Sequence, residues 1–131
     1  MSTPAFGLQK KLELDFDAAL TAVPEALSGE GFGVLTEIDV RATLEKKLGV
    51  STRPYRILGA CNPPFAHRAL GIDLRAGLLM PCNVVVYEAD DGRAMVHAID
   101  PTQSVGSLGN AELTGLAQEL REKLERVLAK L

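Results

Sequence analysis

Two stretches decide the fold: Pro54-Tyr55-Arg56-Ile57-Leu58-Gly59-Ala60-Cys61-Asn62-Pro63-Pro64 and Pro81-Cys82-Asn83-Val84-Val85-Val86-Tyr87-Glu88. Each holds an apolar run of strand length, bounded by Pro and Asn. The first run, Tyr55 to Ala60, ends in a corner. Asn62 suits a helix N-cap, and Pro63 suits the first helical position, where a missing N–H costs nothing. Phe65 to Leu70 is the helix expected after it, with Gly71 near its end. The second run is followed by Ala89-Asp90-Asp91-Gly92 and then Arg93 to Ile99. Asp-Gly between two strand runs predicts a hairpin, because its turn needs positive φ.

Toward the N-terminus, Leu8, Leu12 and Leu14 share a parity that Lys11 and Glu13 do not, the pattern of an edge strand. Asp15 or Asp17 offers the cap for a helix carrying Phe16, Leu20, Val23 and Leu27, which Pro24 should bend. Phe32, Val34, Thr36 and Ile38 alternate as a strand. Asp39 caps a short helix with Val40, Leu44 and Leu48 on one side and Gly49 as its stop. Residues 1–6 read as a loose tail, and 7–131 as one α+β domain. Asp73 to Met80 reads as a loop closing over the corner, hinged at Gly77 and Pro81. Asn110 caps a last helix whose Leu113, Leu116, Ala117, Leu120, Leu124, Val127, Leu128 and Leu131 form a wide apolar stripe.

Strands and helices mix, and a direct hairpin lies near the end. The expected class is therefore α+β: a two-layer sandwich with a mainly antiparallel sheet of about five strands and helices on one face. The other face is left for water or a second copy. Val84-Val85-Val86 lacks polar alternation, so the fourth strand is expected to be covered on both sides, and a homodimer through the sheet follows.

No basic segment followed by an apolar run opens the chain, and no apolar stretch nears the roughly 18 residues of a membrane helix. Two cysteines in such a chain predict free thiols and a cytoplasmic location. The net charge of -3 argues against non-specific nucleic-acid binding. It is unevenly spread. Arg41, Lys46, Lys47, Arg53, Arg56, Arg68 and Arg75 face only Glu45 and Asp73 in residues 41–75, while the remainder is acidic. Such a block recruits a small anion or an acidic surface, or else pairs with the acidic remainder within the chain or across a dimer.

The ligand-binding candidates are Cys61, Asn62, Arg56, His67, Arg68, Cys82 and Asn83. A thiol just before a helix N-terminus feels the positive end of the helix dipole, with Arg56 or Arg68 adding to it. The bland reading of Cys61 is a small buried residue at a tight corner. Cys82, at the start of a neighbouring antiparallel strand, would lie near Cys61 and make a dithiol. The spacing of Cys61, His67, Cys82 and His97 fits no zinc pattern, so neither metal nor cofactor is expected. His97, beside Met95 and Ile99, reads as a half-buried sheet residue. Amide groups after Asn62 favour a carboxylate or phosphate, although two prolines reduce the donors. No base stands where it would activate a nucleophile. The favoured reading is a non-catalytic, dimeric module binding a small, anionic ligand or a partner, without nucleic acid or membrane. The alternative is a thiol-based redox protein or sensor centred on Cys61 and Cys82.

Gly31-Phe32-Gly33-Val34-Leu35-Thr36-Glu37-Ile38-Asp39, then Pro54 to Pro63, then Leu79-Met80-Pro81-Cys82-Asn83-Val84-Val85-Val86-Tyr87, resemble in order and spacing the bacterial and archaeal "domain of unknown function 302" family. The resemblance covers most of the chain. It implies a compact α+β domain, often dimeric, with helices packed on an antiparallel sheet. It implies no activity and supplies no catalytic residues.

Overall fold

The computed structural model describes residues 7–131, so the tail expected over residues 1–6 lies outside the described residues. Strand β1 (Gly7–Asp15) ends at Asp15, whose carboxylate accepts the Ala18 N–H at 2.9 Å and caps α1 (Phe16–Ser28). The helix runs on through Pro24 and buries Ala19, Val23 and Leu27. Gly31, at φ 85°, turns the chain into β2 (Gly33–Asp39). Asp39 caps α2 (Val40–Leu48), and Gly49 stops it in the left-handed region at φ 67°. Strand β3 (Tyr55–Cys61) leads through the Asn62 cap into α3 (Pro63–Ile72), with Pro63 at the first helical position. The segment expected as a loop over the corner contains a 3₁₀ turn (Leu74–Leu79), followed by β4 (Cys82–Glu88). The hairpin to β5 (Arg93–Ile99) turns at Gly92, at φ 86°. Asn110 caps the last helix, α4 (Ala111–Ala129).

The apolar side of α2 is not buried, since none of its residues is and Leu48 is 69% exposed. The helix fills the link between β2 and β3 at the sheet's end, where no second layer lies across it.

The five strands form one antiparallel sheet in the order β1-β5-β4-β3-β2. Register sorts the side chains into two faces, because neighbours along a strand point opposite ways. Leu8, Ala98, Val84 and Leu58 form one cross-strand row, and Val96 and Val86 belong to the next. Lys10 of β1, Arg56 of β3, and Glu37 and Asp39 of β2 complete those rows; the apolar residues are buried under α1 and α4 with Val23, Leu27, Leu113, Ala117 and Leu124. Asp100, at the end of β5, is the polar exception. It is 4% exposed, accepts the Thr102 N–H at 2.9 Å and hydroxyl at 2.7 Å, and pairs with Arg121 of α4 at 3.0 Å. That bond ties the sheet to its covering helix.

The other rows hold Ile38, Ile57, Val85, His97 and Gln9, then Tyr55, Tyr87, Met95 and Lys11. They lie on the face away from the core cluster. Val85 is half-buried between buried Val84 and Val86, so among the described residues the expected cover on both sides of β4 is absent. Gly59 sits on the same face as Val85. A Cβ there would stand 2.2 Å from Thr36 Oγ1 and 2.9 Å from Pro81 Cγ.

Gly59→Ala is therefore expected to destabilise the fold by about 1–3 kcal/mol, because the Pro81 ring cannot rotate away. Urea unfolding checks this. A loss no larger than that of Gly71→Ala, where nothing lies within 4 Å of a built Cβ, would refute the close approach.

Candidate functional site

Two places come into question: the cysteine corner and the uncovered sheet face. At the corner, Cys82 is paired across the sheet with Ala60, and Cys61 with Gly33. Alternation sends the side chains of Ala60 and Cys61 to opposite faces, so Cys82 shares a face with Ala60 and not with Cys61. Both cysteines are free. They border one gap of about 20 Å³, closed by Phe65, Met80, Pro81 and Leu120, with room for about one water. Cys82 is 6% exposed. Burial, and then the Cys61 thiol beside it, push its pKa up to about 12, so it stays protonated at neutral pH.

The amide end of α3 offers few donors. Pro63 and Pro64 carry no N–H, the Phe65 N–H is given to Asn62 Oδ1 at 3.2 Å, and the Ala66 N–H to the Asn62 carbonyl at 2.9 Å. Asn62 is thus spent as a cap. His67 and Arg68 are exposed on α3, and Arg68 reaches across to Glu112 of α4 at 2.8 Å. Arg56 stands at the far end of β3, bonded to Glu37 and paired with Asp39 at 3.2 Å. Arg53 pairs with Asp90 and Arg75 with Asp73. Four arginines of the basic block are thereby neutralised by nearby carboxylates. Among the described residues, no group of three or more His, Cys, Asp or Glu is placed to hold a metal ion, and no helix is long and apolar enough to cross a membrane.

The uncovered face carries the better-formed hollow. It measures about 370 Å³ and is lined by Gly7, Tyr55, Asn83, Val85, Tyr87, His97 and Ile99, with Ala98 beneath. Val85 is its floor, and the larger neighbours on β3, β4 and β5 are its wall. The Tyr55 and Tyr87 rings stack with centroids 5.4 Å apart and planes within 4°. His97 continues the rank at 5.6 Å and 17°, and the Tyr87 hydroxyl shares a 3.0 Å hydrogen bond with His97 Nε2. Burial lowers the His97 pKa, which favours the neutral imidazole. A second hollow of about 390 Å³ adjoins, sharing Asn83 and Ile99 and running on to Leu78, Met80 and Ser104. Leu78 is 84% exposed at its rim.

Of the sequence candidates, the structure gathers Cys61, Asn62 and Cys82 around the small gap, places Asn83 in the open hollow, and leaves Arg56, His67 and Arg68 apart from both. Tyr55, Tyr87 and His97 were not among the candidates. Their signal is that all three fall at one parity of neighbouring strands, which is visible only once the register is known.

The model of the family described as domain of unknown function DUF302 matches residues 8–131. A solved structure, that of the uncharacterized conserved protein DUF302 from Bacillus stearothermophilus, is similar at 30% identity and a TM-score of 0.88. The match covers 96% of this chain and 98% of that one. No curated protein matches.

Two measurements check these environments. In the folded chain a disulfide-exchange reagent is expected to leave Cys82 unmodified at pH 8 and to reach it only in denaturant. Folding raises the Cys82 pKa above its ordinary value of 9.0, so the folded state holds the proton more tightly than the unfolded one. That contribution to stability is complete below pH 9 and is lost as pH climbs toward 12; Cys82→Ala should remove this part of the alkaline decline. For His97 the sign is opposite. Its folded pKa lies below 6.5, so its contribution is complete above pH 6.5 and falls on acidification, and an imidazole NMR titration with a midpoint above 6.5 would contradict the buried setting.

Proposed function

Since the chain belongs to the DUF302 family, which brings no assigned activity with it, we propose that it is a non-catalytic binding module of the cytoplasm that works as a homodimer. Two copies meet through their uncovered sheet faces, and a small ligand occupies the space between them. The observation that carries this reading is the face itself: Tyr55, Ile57, Val85, Tyr87 and Met95 stand on the side of the sheet opposite the core cluster. Contiguous apolar surface of this kind marks a binding surface on a folded chain.

Size supports a second copy as the cover. Five strands spaced about 4.8 Å apart and about seven residues long present a face on the order of 500 Å². Two such faces bury about 1,000 Å², near the lower end for specific interfaces, and the loop carrying Leu78 adds to it. An isologous pairing brings the same patch from each copy together and encloses two half-open hollows at once.

The thiol-centred alternative has less support, because Cys82 is held protonated and the gap beside both sulfurs takes about one water. An anion at the start of α3 has less support for want of N–H donors.

The test is sedimentation equilibrium. The wild-type chain is expected to run at twice 14.0 kDa, and Val85→Lys to run as a monomer with an unchanged circular dichroism spectrum. A lysine at the centre of the face has no partner there, so dimer affinity should fall by about 100-fold or more. A wild-type chain that stays monomeric at about 100 μM, a concentration at which even micromolar dimers form, refutes the dimer.

A further inference from the structure

We infer that the hollow over Val85 is a site for an uncharged, planar heterocycle that presents a hydrogen-bond donor and acceptor side by side, the edge of a cyclic amide or of a nucleobase. This rests on the sheet face being the working surface and names what that face takes. The bowl exists because of residue size. Gly7, paired with Ile99 at the β1 edge, has no side chain to fill it, and the floor is a valine, while Thr36 and Pro81 close the space over Gly59 at the other end.

One wall is the parallel rank of Tyr55, Tyr87 and His97, which presents ring faces and edges suited to a flat partner. Charge sets the next limit. None of the lining residues carries a formal charge at neutral pH, since burial favours the neutral form of His97, the only basic one among them. An ionic ligand would lose its hydration without gaining a counter-charge. Asn83 sets the last. It is exposed on the same face and borders both adjoining hollows, so its carboxamide stands open to a ligand in either. A carboxamide offers an N–H and a C=O in one plane and pairs in two bonds with a group offering the converse. At about 370 Å³ the hollow has the size of small-molecule sites.

The probe is 2-quinolone, flat and neutral with adjacent N–H and C=O, set against N-methyl-2-quinolone, which lacks the donor. Each is titrated into the ¹⁵N-labelled full chain, and sedimentation is run on the same samples. The expected result is saturable shifts of the Val85, Tyr87 and His97 amides and of the Asn83 side-chain amide. Affinity for the N-methyl compound should be roughly three- to tenfold weaker, the cost of one unmade hydrogen bond. Asn83→Ala should abolish that difference, and Val85→Phe, which fills the bowl, should abolish the shifts. Equal affinity for both compounds in the wild type overturns the proposed ligand class. Absence of saturable shifts at millimolar probe, or shifts that survive Val85→Phe in a folded chain, overturns the site. Sedimentation keeps the two readings apart: a monomer that binds the probe refutes only the dimer, and a dimer that ignores it refutes only the ligand.

Discussion

The pleat of the central strand β4 governs the rest of the structure. Val84, Val85 and Val86 are chemically alike, yet the two-residue period sends the first and third into the core and the middle one to the opposite side. Helices lie over only one of those sides, because α1 and α4 contribute the remaining core residues, Val23, Leu27, Leu113 and Leu124 among them. Everything distinctive about the molecule follows from this imbalance. One layer is sealed, and the other keeps apolar and aromatic side chains with nothing among the described residues above them.

The fold was legible to the extent that local rules decide it. The caps at Asp15, Asp39, Asn62 and Asn110 each accept an N–H from the first helical turn. Gly49 and Gly92 take positive φ where a stop and a turn were read. Such signals depend on residues three or four apart. The 3₁₀ turn at Leu74–Leu79 was not legible, because it has no periodic apolar pattern: only Ala76 is buried, and Asp73 holds its start by accepting the Arg75 N–H. Nor was the exposure of α2: Val40, Leu44 and Leu48 have helical spacing, but burial needs a second layer that the local sequence cannot announce.

The candidate site was legible only in part, for the same reason. Cys61-Asn62-Pro63-Pro64 draws the eye because its residues are chemically conspicuous, and the corner they form is real. Its chemistry is nonetheless consumed in making the turn, since the cap takes one amide, the prolines supply none, and Cys82 packs beneath. The open hollow has the opposite character. Tyr55, Tyr87 and His97 are ordinary strand residues in sequence, and only the offset between β3, β4 and β5 aligns their rings. A site made by register is invisible until the register is known.

The partnership of β1 with β5 has a kinetic side. Arg93 donates to the Leu12 carbonyl from 81 positions away, whereas β4 and β5 meet through a tight hairpin. Closing so long a span costs more chain entropy than closing the hairpin, so contact order favours the hairpin forming before the first strand docks. Until it arrives, β5 shows a bare edge of backbone amides and carbonyls. The first strand of a neighbouring copy carries the same pairing groups, so an open β5 edge is where exchange of N-terminal strands between molecules would begin.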